Sequence, residues 1–207
     1  MEYLEHGDLH THLESVDKPL SEADCRHITR QVLRGLSVMH DEGFTHGDIK
    51  PRNVLIMQRA VEGQPQMWWV KLADFGISKR AKEVSGATTL VGTPEYMAPE
   101  LQRGTATEDL PAADIWAVGV MAFYMLTREP PFQPFWLASQ YRDRPDELFP
   151  RVALDRWDVS ADCQAFVRKL MGAMPEQRPS SENALEDSWL QTGSLEPQHS
   201  ETNYDSE

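Results

Sequence analysis

The sequence predicts a mainly α-helical domain with one small β-hairpin region, and three observations predict it. Residues 21–43 and 160–171 carry apolar side chains at helical spacing. Residues 117–126 are almost continuously apolar, as in a buried helix. Two short β-type runs, 54–57 and 68–73, flank a segment that contains Gly63 and Pro65. With 207 residues and 40% hydrophobic content, the chain can build one real core or one large lobe.

The elements follow in order. Ser21 and Asp24 form a capping-box-like start to the first long helix, with Ile28, Val32, Leu36 and Met39 on its apolar stripe. Gly43 ends it. The hairpin comes next, with 58–66 as its loop. Residues 74–110 lack periodicity and are rich in Gly, Thr, Ser and Pro; a long irregular segment inside a compact domain is usually functional. Pro111 opens a helix over 112–127. Residues 130–150 are proline-rich and predict a loop around one short helix. Ser160 caps the helix at 160–171, and Ser180 or Ser181 caps another over 180–190. From Gln191 the chain is polar and acidic, so residues 1–190 are expected to form the domain and 191–207 a disordered acidic tail.

A net charge of −13 argues against nucleic acid as a partner, although seven of the acids lie after Arg178, where no Lys or Arg occurs. Cys25 and Cys163 sit inside helical patterns and suggest reduced, buried thiols, hence an intracellular protein, cytoplasmic or nuclear. The first eight residues have no basic region or apolar core of a signal peptide. The run at 117–126 is too short to span a bilayer, so no membrane partner is expected.

The chemistry concentrates in His46-Gly47-Asp48-Ile49-Lys50-Pro51-Arg52-Asn53 and in Asp74-Phe75-Gly76 beyond the hairpin. Phosphoryl transfer needs an oriented nucleophile, neutralisation of the moving charge, and magnesium held by hard oxygen ligands. Asp48 can orient or deprotonate a hydroxyl. Lys50 supplies a point charge, Asn53 a neutral amide oxygen and Asp74 a carboxylate. Any one of them could be a turn residue. The whole string in a strand–loop context is far more specific.

From the first residue to about Leu190 the chain resembles the eukaryotic protein kinases. Its catalytic loop resembles H-R-D-x-K-x-x-N; Asp74-Phe75-Gly76 is similar to D-F-G, and Ala98-Pro99-Glu100 to A-P-E. Asp114-Ile115-Trp116-Ala117-Val118-Gly119 resembles the D-x-W-x-x-G helix start that anchors the catalytic loop. Lys50 and the Gly92-Thr93-Pro94-Glu95 stretch resemble the serine/threonine type.

The resemblance implies a kinase-like large lobe that uses ATP and Mg2+ and phosphorylates Ser or Thr in a protein. It implies Asp48 as catalytic base, Lys50 on the transferring phosphate, Asn53 and Asp74 as magnesium ligands, and Thr93 holding Asp48 and Lys50. Glu2 and Leu4 resemble hinge residues that bond adenine through backbone atoms. Asp8 corresponds to a ribose or substrate contact, and Leu55 to a residue packed under adenine. Glu100 with Arg178, and Asp114, have structural roles; His46 and Phe75 are core residues.

The pattern departs in three places. Gly47 replaces an arginine that often receives an activation-loop phosphate, which disfavours Thr88 or Thr89 as a switch. Arg52 and Tyr124 stand where kinases with basic substrates often carry acids, which disfavours arginine-directed specificity. No G-x-G-x-x-G precedes the catalytic loop, and Lys18 follows the hinge. The resemblance therefore starts at the hinge, and the small lobe is expected to be absent. Two readings follow: a truncated kinase domain with weak ATP affinity, or a non-catalytic binding module. His46-Gly47-Asp48 also resembles the loop of small-molecule phosphotransferases, but those enzymes lack the A-P-E and D-x-W-x-x-G segments present here.

Overall fold

The computed structural model describes residues 6–60, 68–74, the backbone of 79–80, 93–103 and 109–192 of the 207. Two long helices form its centre. The first, α2 (Glu22–Asp41), starts where the sequence predicts: the Ser21 hydroxyl accepts the Asp24 amide at 3.1 Å and donates to Oδ2 of Asp24 at 2.6 Å. It ends at Gly43, whose φ of +78° is reached without the Cβ clash that other residues meet. Cys25, Ile28, Val32, Leu33 and Leu36 line its buried face.

The second, α4 (Leu110–Thr127), is capped by Asp109, which accepts the Ala112 amide at 3.1 Å. By length and composition α4 could cross a membrane, but 78% of it is buried inside the fold, as in a core helix. It packs on α2 and on α8 (Ala161–Leu170), which Ser160 caps by accepting the Cys163 amide. Trp116, Phe132 and Tyr141 cluster beside it, with ring centroids 5.2–5.9 Å apart. The two thiols are buried and unpaired with each other; burial pushes Cys25 up to about 12, so it is unreactive at neutral pH.

The hairpin pairs β2 (Val54–Gln58) with β3 (Trp69–Leu72), antiparallel, with Val54 opposite Leu72 and a bulge between Ile56 and Gln58. Gln31 docks it on α2: its side-chain oxygen accepts the Val70 amide at 2.9 Å, and its nitrogen donates to the Trp68 carbonyl at 2.8 Å. Most of its expected loop lies at 61–67, outside the described residues.

Five regions differ from the sequence expectation. Helix α1 (Leu9–Glu14) forms behind an Asp8 cap, in a segment too short for periodicity to register. The strand pair β1 (Phe44–Thr45) and β4 (Lys79–Arg80) has only two residues a side, and it pairs segments far apart in sequence. Within the irregular segment, α3 (Pro99–Gln102) forms one turn. The proline-rich stretch holds α5 (Leu137–Tyr141) and α6 (Pro145–Leu148), followed by α7 (Arg151–Arg156). The last expected helix splits into α9 (Ser181–Leu185) and α10 (Ser188–Gln191), because Asp187 caps a new start by accepting the Trp189 amide at 3.0 Å. The expected acidic tail lies outside the described residues from 193 onward.

Candidate active site

The catalytic loop runs between β1 and β2, and a carboxylate beneath it fixes its shape. Asp114, 2% exposed on α4, accepts the His46 amide on Oδ2 and the Gly47 amide on Oδ1, each at 2.8 Å. Gly47 has φ +80°, where a Cβ would be strained, and the chain turns there from the Asp114 anchor toward Asp48. His46 is fully buried. Its Nε2 donates to the Ala73 carbonyl at 3.0 Å, and its Nδ1 accepts the Asp48 amide at 3.3 Å. One imidazole thereby ties the loop to Ala73, between the end of β3 and Asp74.

The Asp48 carboxylate is held from three directions. Lys50 Nζ donates to Oδ2 at 2.5 Å. The Thr93 amide and hydroxyl both donate to Oδ1, at 3.1 and 2.9 Å. Asn53 Nδ2 donates to Oδ2 at 3.1 Å and to the Asp48 carbonyl at 2.8 Å. Lys50 also donates to the Thr93 hydroxyl at 2.8 Å, closing a ring of three side chains. Partial burial pushes the Asp48 carboxyl up, but the hydrogen bonds from Lys50 and Thr93 and the Lys50 charge outweigh it, so its pKa falls below the ordinary value. Asp48 is therefore an anion at neutral pH.

Strand register sets the two proposed metal ligands. Val54 pairs with Leu72, so Asn53 stands opposite Ala73, whose amide donates to the Asn53 carbonyl at 2.9 Å. Asp74 is the next residue, with φ +62°, a left-handed conformation that turns the chain away from the strand. Asn53 donates through Nδ2 to Asp48, which leaves Oδ1 as an acceptor. A neutral amide oxygen and a carboxylate are the hard ligand types that suit magnesium, which binds through one or two protein oxygens plus substrate phosphates. Among the described residues there is no cluster of three or more His, Cys, Asp or Glu that would form a self-sufficient metal cage.

Below this loop, Arg178 and Glu100 pair face to face, with Nη1–Oε1 and Nη2–Oε2 both 2.8 Å, each residue under 8% exposed. Arg178 also donates to the carbonyls of Ala112 at 3.0 Å and Gly172 at 2.8 Å, and it lies over the Trp116 ring. The pair fixes α3 to α4 and the turn at 175–178.

The family model for the protein kinase domain matches residues 1–190. This chain belongs to the protein kinase family. A probable myosin light chain kinase of Dictyostelium discoideum is 33% identical over 178 residues, covering 82% of this kinase chain and 47% of that protein. Serine/threonine-protein kinase 17A of Oryctolagus cuniculus is 30% identical over 188 residues, covering 87% of this chain and 44% of that protein. The serine/threonine type is thereby supported by relatives as well as by Lys50. The kinase chain spans less than half the length of these curated relatives. Among solved structures, the Rad53 kinase domain with SCD2 in complex with AMPPNP superposes with a TM-score of 0.74 at 25% identity, covering 95% of this chain and 70% of that one. Family membership carries general use of ATP and Mg2+.

Of the residues singled out in this kinase's sequence, Asp48, Lys50, Thr93 and Asn53 form one hydrogen-bonded unit, and Asp74 follows the strand that flanks it. Asp8 and Leu55 are bridge partners at the hairpin edge, and the Ile56 amide donates to the Gly7 carbonyl at 2.9 Å. Asp8 also caps α1: Oδ1 accepts the Thr11 amide at 2.8 Å and Oδ2 the Thr11 hydroxyl at 3.0 Å. The sequence signal for that cap, Asp8 ahead of Leu9 with Thr11 beyond, was there to be read. Glu2, Leu4, Phe75, Thr88 and Thr89 lie outside the described residues. Arg52 donates to Nε2 of His10 at 2.7 Å, and the Tyr124 hydroxyl donates to Glu14 at 3.2 Å. His40, which bonds Asp114 from below, gave no sequence signal at all.

Proposed function

We propose that this kinase transfers the γ-phosphoryl group of ATP to a serine or threonine hydroxyl of a protein substrate. The observation that carries the reading is the Asp48 carboxylate locked by Lys50, Thr93 and Asn53. Phosphoryl transfer passes through a loose transition state, so the enzyme's work is positioning and electrostatics more than covalent chemistry. An ionised, immobile carboxylate suits that work: it accepts a hydrogen bond from the substrate hydroxyl and aims its oxygen at phosphorus. The proton has a destination on Asp48 once the oxygen–phosphorus bond forms.

Lys50 uses one hydrogen on Asp48 and one on Thr93. Its third N–H is left for a phosphoryl oxygen, where its charge stabilises the anion. Asn53 Oδ1 and the Asp74 carboxylate would hold magnesium, which when bound neutralises the nucleotide phosphates and aligns them. Leu55 and Asp8, bridged at the hairpin edge, would face the nucleoside. Glu2 and Leu4 would bond adenine through their backbone. Each Asp8 oxygen keeps a lone pair beyond its cap bond for a ribose hydroxyl.

The test is phosphate transfer from Mg-ATP to a serine/threonine protein substrate, using the longest natural product that contains this chain. Asp48→Asn keeps the size of the side chain and removes the proton acceptor, and is expected to lower kcat by about 100-fold or more. Unchanged turnover in Asp48→Asn would overturn the assignment.

A further inference from the structure

The Asp114 carboxylate that anchors the catalytic loop is itself held from below, through two side chains that the phosphoryl-transfer reading does not use. His40 Nε2 lies 3.0 Å from Asp114 Oδ2, and both side chains are less than 10% exposed. On the far side of the ring, His40 Nδ1 lies 3.2 Å from the Ser181 hydroxyl. Ser181 is 3% exposed. The helix α9 does not need this hydroxyl as a cap, because the Ser180 hydroxyl accepts the Asn183 amide at 3.1 Å.

The chemistry of the three groups sets the direction of each bond. A carboxylate only accepts, so His40 Nε2 carries a proton and donates to Asp114. In a neutral ring Nδ1 is then the acceptor, and Ser181 donates to it. The Ser181 hydroxyl thus selects the His40 tautomer that can serve Asp114. Asp114 Oδ2 receives His40 and the His46 amide together, while Oδ1 receives the Gly47 amide. A carboxylate free to rotate would satisfy the two loop amides less well. The third bond fixes its plane.

We propose that Ser181 and His40 are positioning residues: a buried relay from α9 to Asp114 that holds the catalytic-loop backbone one residue before Asp48. The relay serves the loop that the proposed function makes catalytic. Its readouts below need no phosphoryl transfer, so failure of the relay and failure of that function are distinguishable.

The experiment is NMR on the full 207-residue chain, labelled with 15N. In wild type, His40 Nε2 should show the shift of a protonated nitrogen and Nδ1 that of a hydrogen-bonded acceptor. Ser181→Ala should mix the tautomers and speed amide exchange at Gly47 by about three- to tenfold, the effect of one lost hydrogen bond. His40→Leu should speed it further. His40→Gln, whose side-chain amide can still donate to Asp114, should restore protection to within about twofold of wild type. The proposal is overturned if Ser181→Ala changes neither the imidazole shifts nor Gly47 exchange. It is equally overturned if His40→Gln protects Gly47 no better than His40→Leu. Ser181→Ala removes one atom, so it reports even if the His40 variants fold poorly.

Discussion

Thr93 donates twice to a single oxygen of Asp48, from its amide at 3.1 Å and its hydroxyl at 2.9 Å, while accepting from Lys50 at 2.8 Å. One side chain from within the long irregular segment therefore completes the cage around the catalytic-loop acid. The 45 residues that separate them in sequence are bridged by hydrogen bonds to an anion, the strong class of such bonds.

Thr93→Ala removes the hydroxyl and leaves the amide. It should lower kcat by about 10- to 100-fold, as expected for a lost bond to a charged group, with Thr93→Ser retaining most of the rate. Steady-state kinetics on protein substrate check it; equal rates for wild type and alanine would show that the amide alone suffices.

Arg178 and Glu100 should respond unequally to truncation. Glu100→Ala leaves Arg178 with two carbonyl partners and the face of Trp116. Arg178→Ala leaves a buried carboxylate with no counter-charge and strips both carbonyls of their donor. Removing one partner of a buried pair costs about 3–5 kcal/mol, and Arg178→Ala should lie at the upper end. Urea unfolding of the two variants ranks them, and a larger loss for Glu100→Ala would contradict the accounting.

At Gly119, α4 packs tightly against the C-terminal end of α8. A Cβ there would sit 2.7 Å from Met171 Cγ, 3.0 Å from Leu170 Cβ and 3.3 Å from the Leu170 carbonyl carbon. The methionine tip can yield, but the Leu170 atoms belong to a packed helix and cannot. Gly119→Ala should therefore destabilise by about 1–3 kcal/mol despite the better helix propensity of alanine. A raised Tm would show that α8 shifts at little cost.

Glu22 gives the fold an acid-sensitive joint. It accepts the Trp189 indole at 2.7 Å, the Ser160 hydroxyl at 2.8 Å, the Ser160 amide at 3.1 Å and Arg26 at 3.2 Å, joining α2 to α8 and α10. Burial raises its pKa, but the bonds from Trp189 and Ser160, with the Arg26 charge, bring the net below the ordinary 4.5. The folded form thus binds its proton less readily than the unfolded chain does. The stabilisation is complete above pH 4.5 and is lost as pH falls through the lower folded value. Glu22→Gln should flatten the stability–pH curve in that window, measured by urea midpoints from pH 6 downward.

The local grammar of the chain was legible because it is written in neighbours. Ser21, Ser160 and Pro111 mark helix starts by chemistry confined to one turn, and those starts lie where expected. The string from His46 to Asn53, with Asp74 and the Ala98–Glu100 segment, identified the kinase loop because its residue types are improbable together. The short elements were less legible. Two-residue strands and single-turn helices carry no periodicity, and β1 meets β4 only after the chain has folded back.

The sequence by itself determined the kinase family, the long helices, the hairpin and the residues to which we assign the chemistry. Only the tertiary structure decided how those residues act on each other: that Thr93 reaches Asp48, that Asp114 holds two loop amides, and that Ser181 and His40 stand beneath it. The reason is physical. Caps and motifs depend on contacts within a few residues, whereas the state of Asp48 depends on a low-dielectric site assembled from segments more than forty residues apart, whose bonds exist only once α4, the hairpin and the loop have packed.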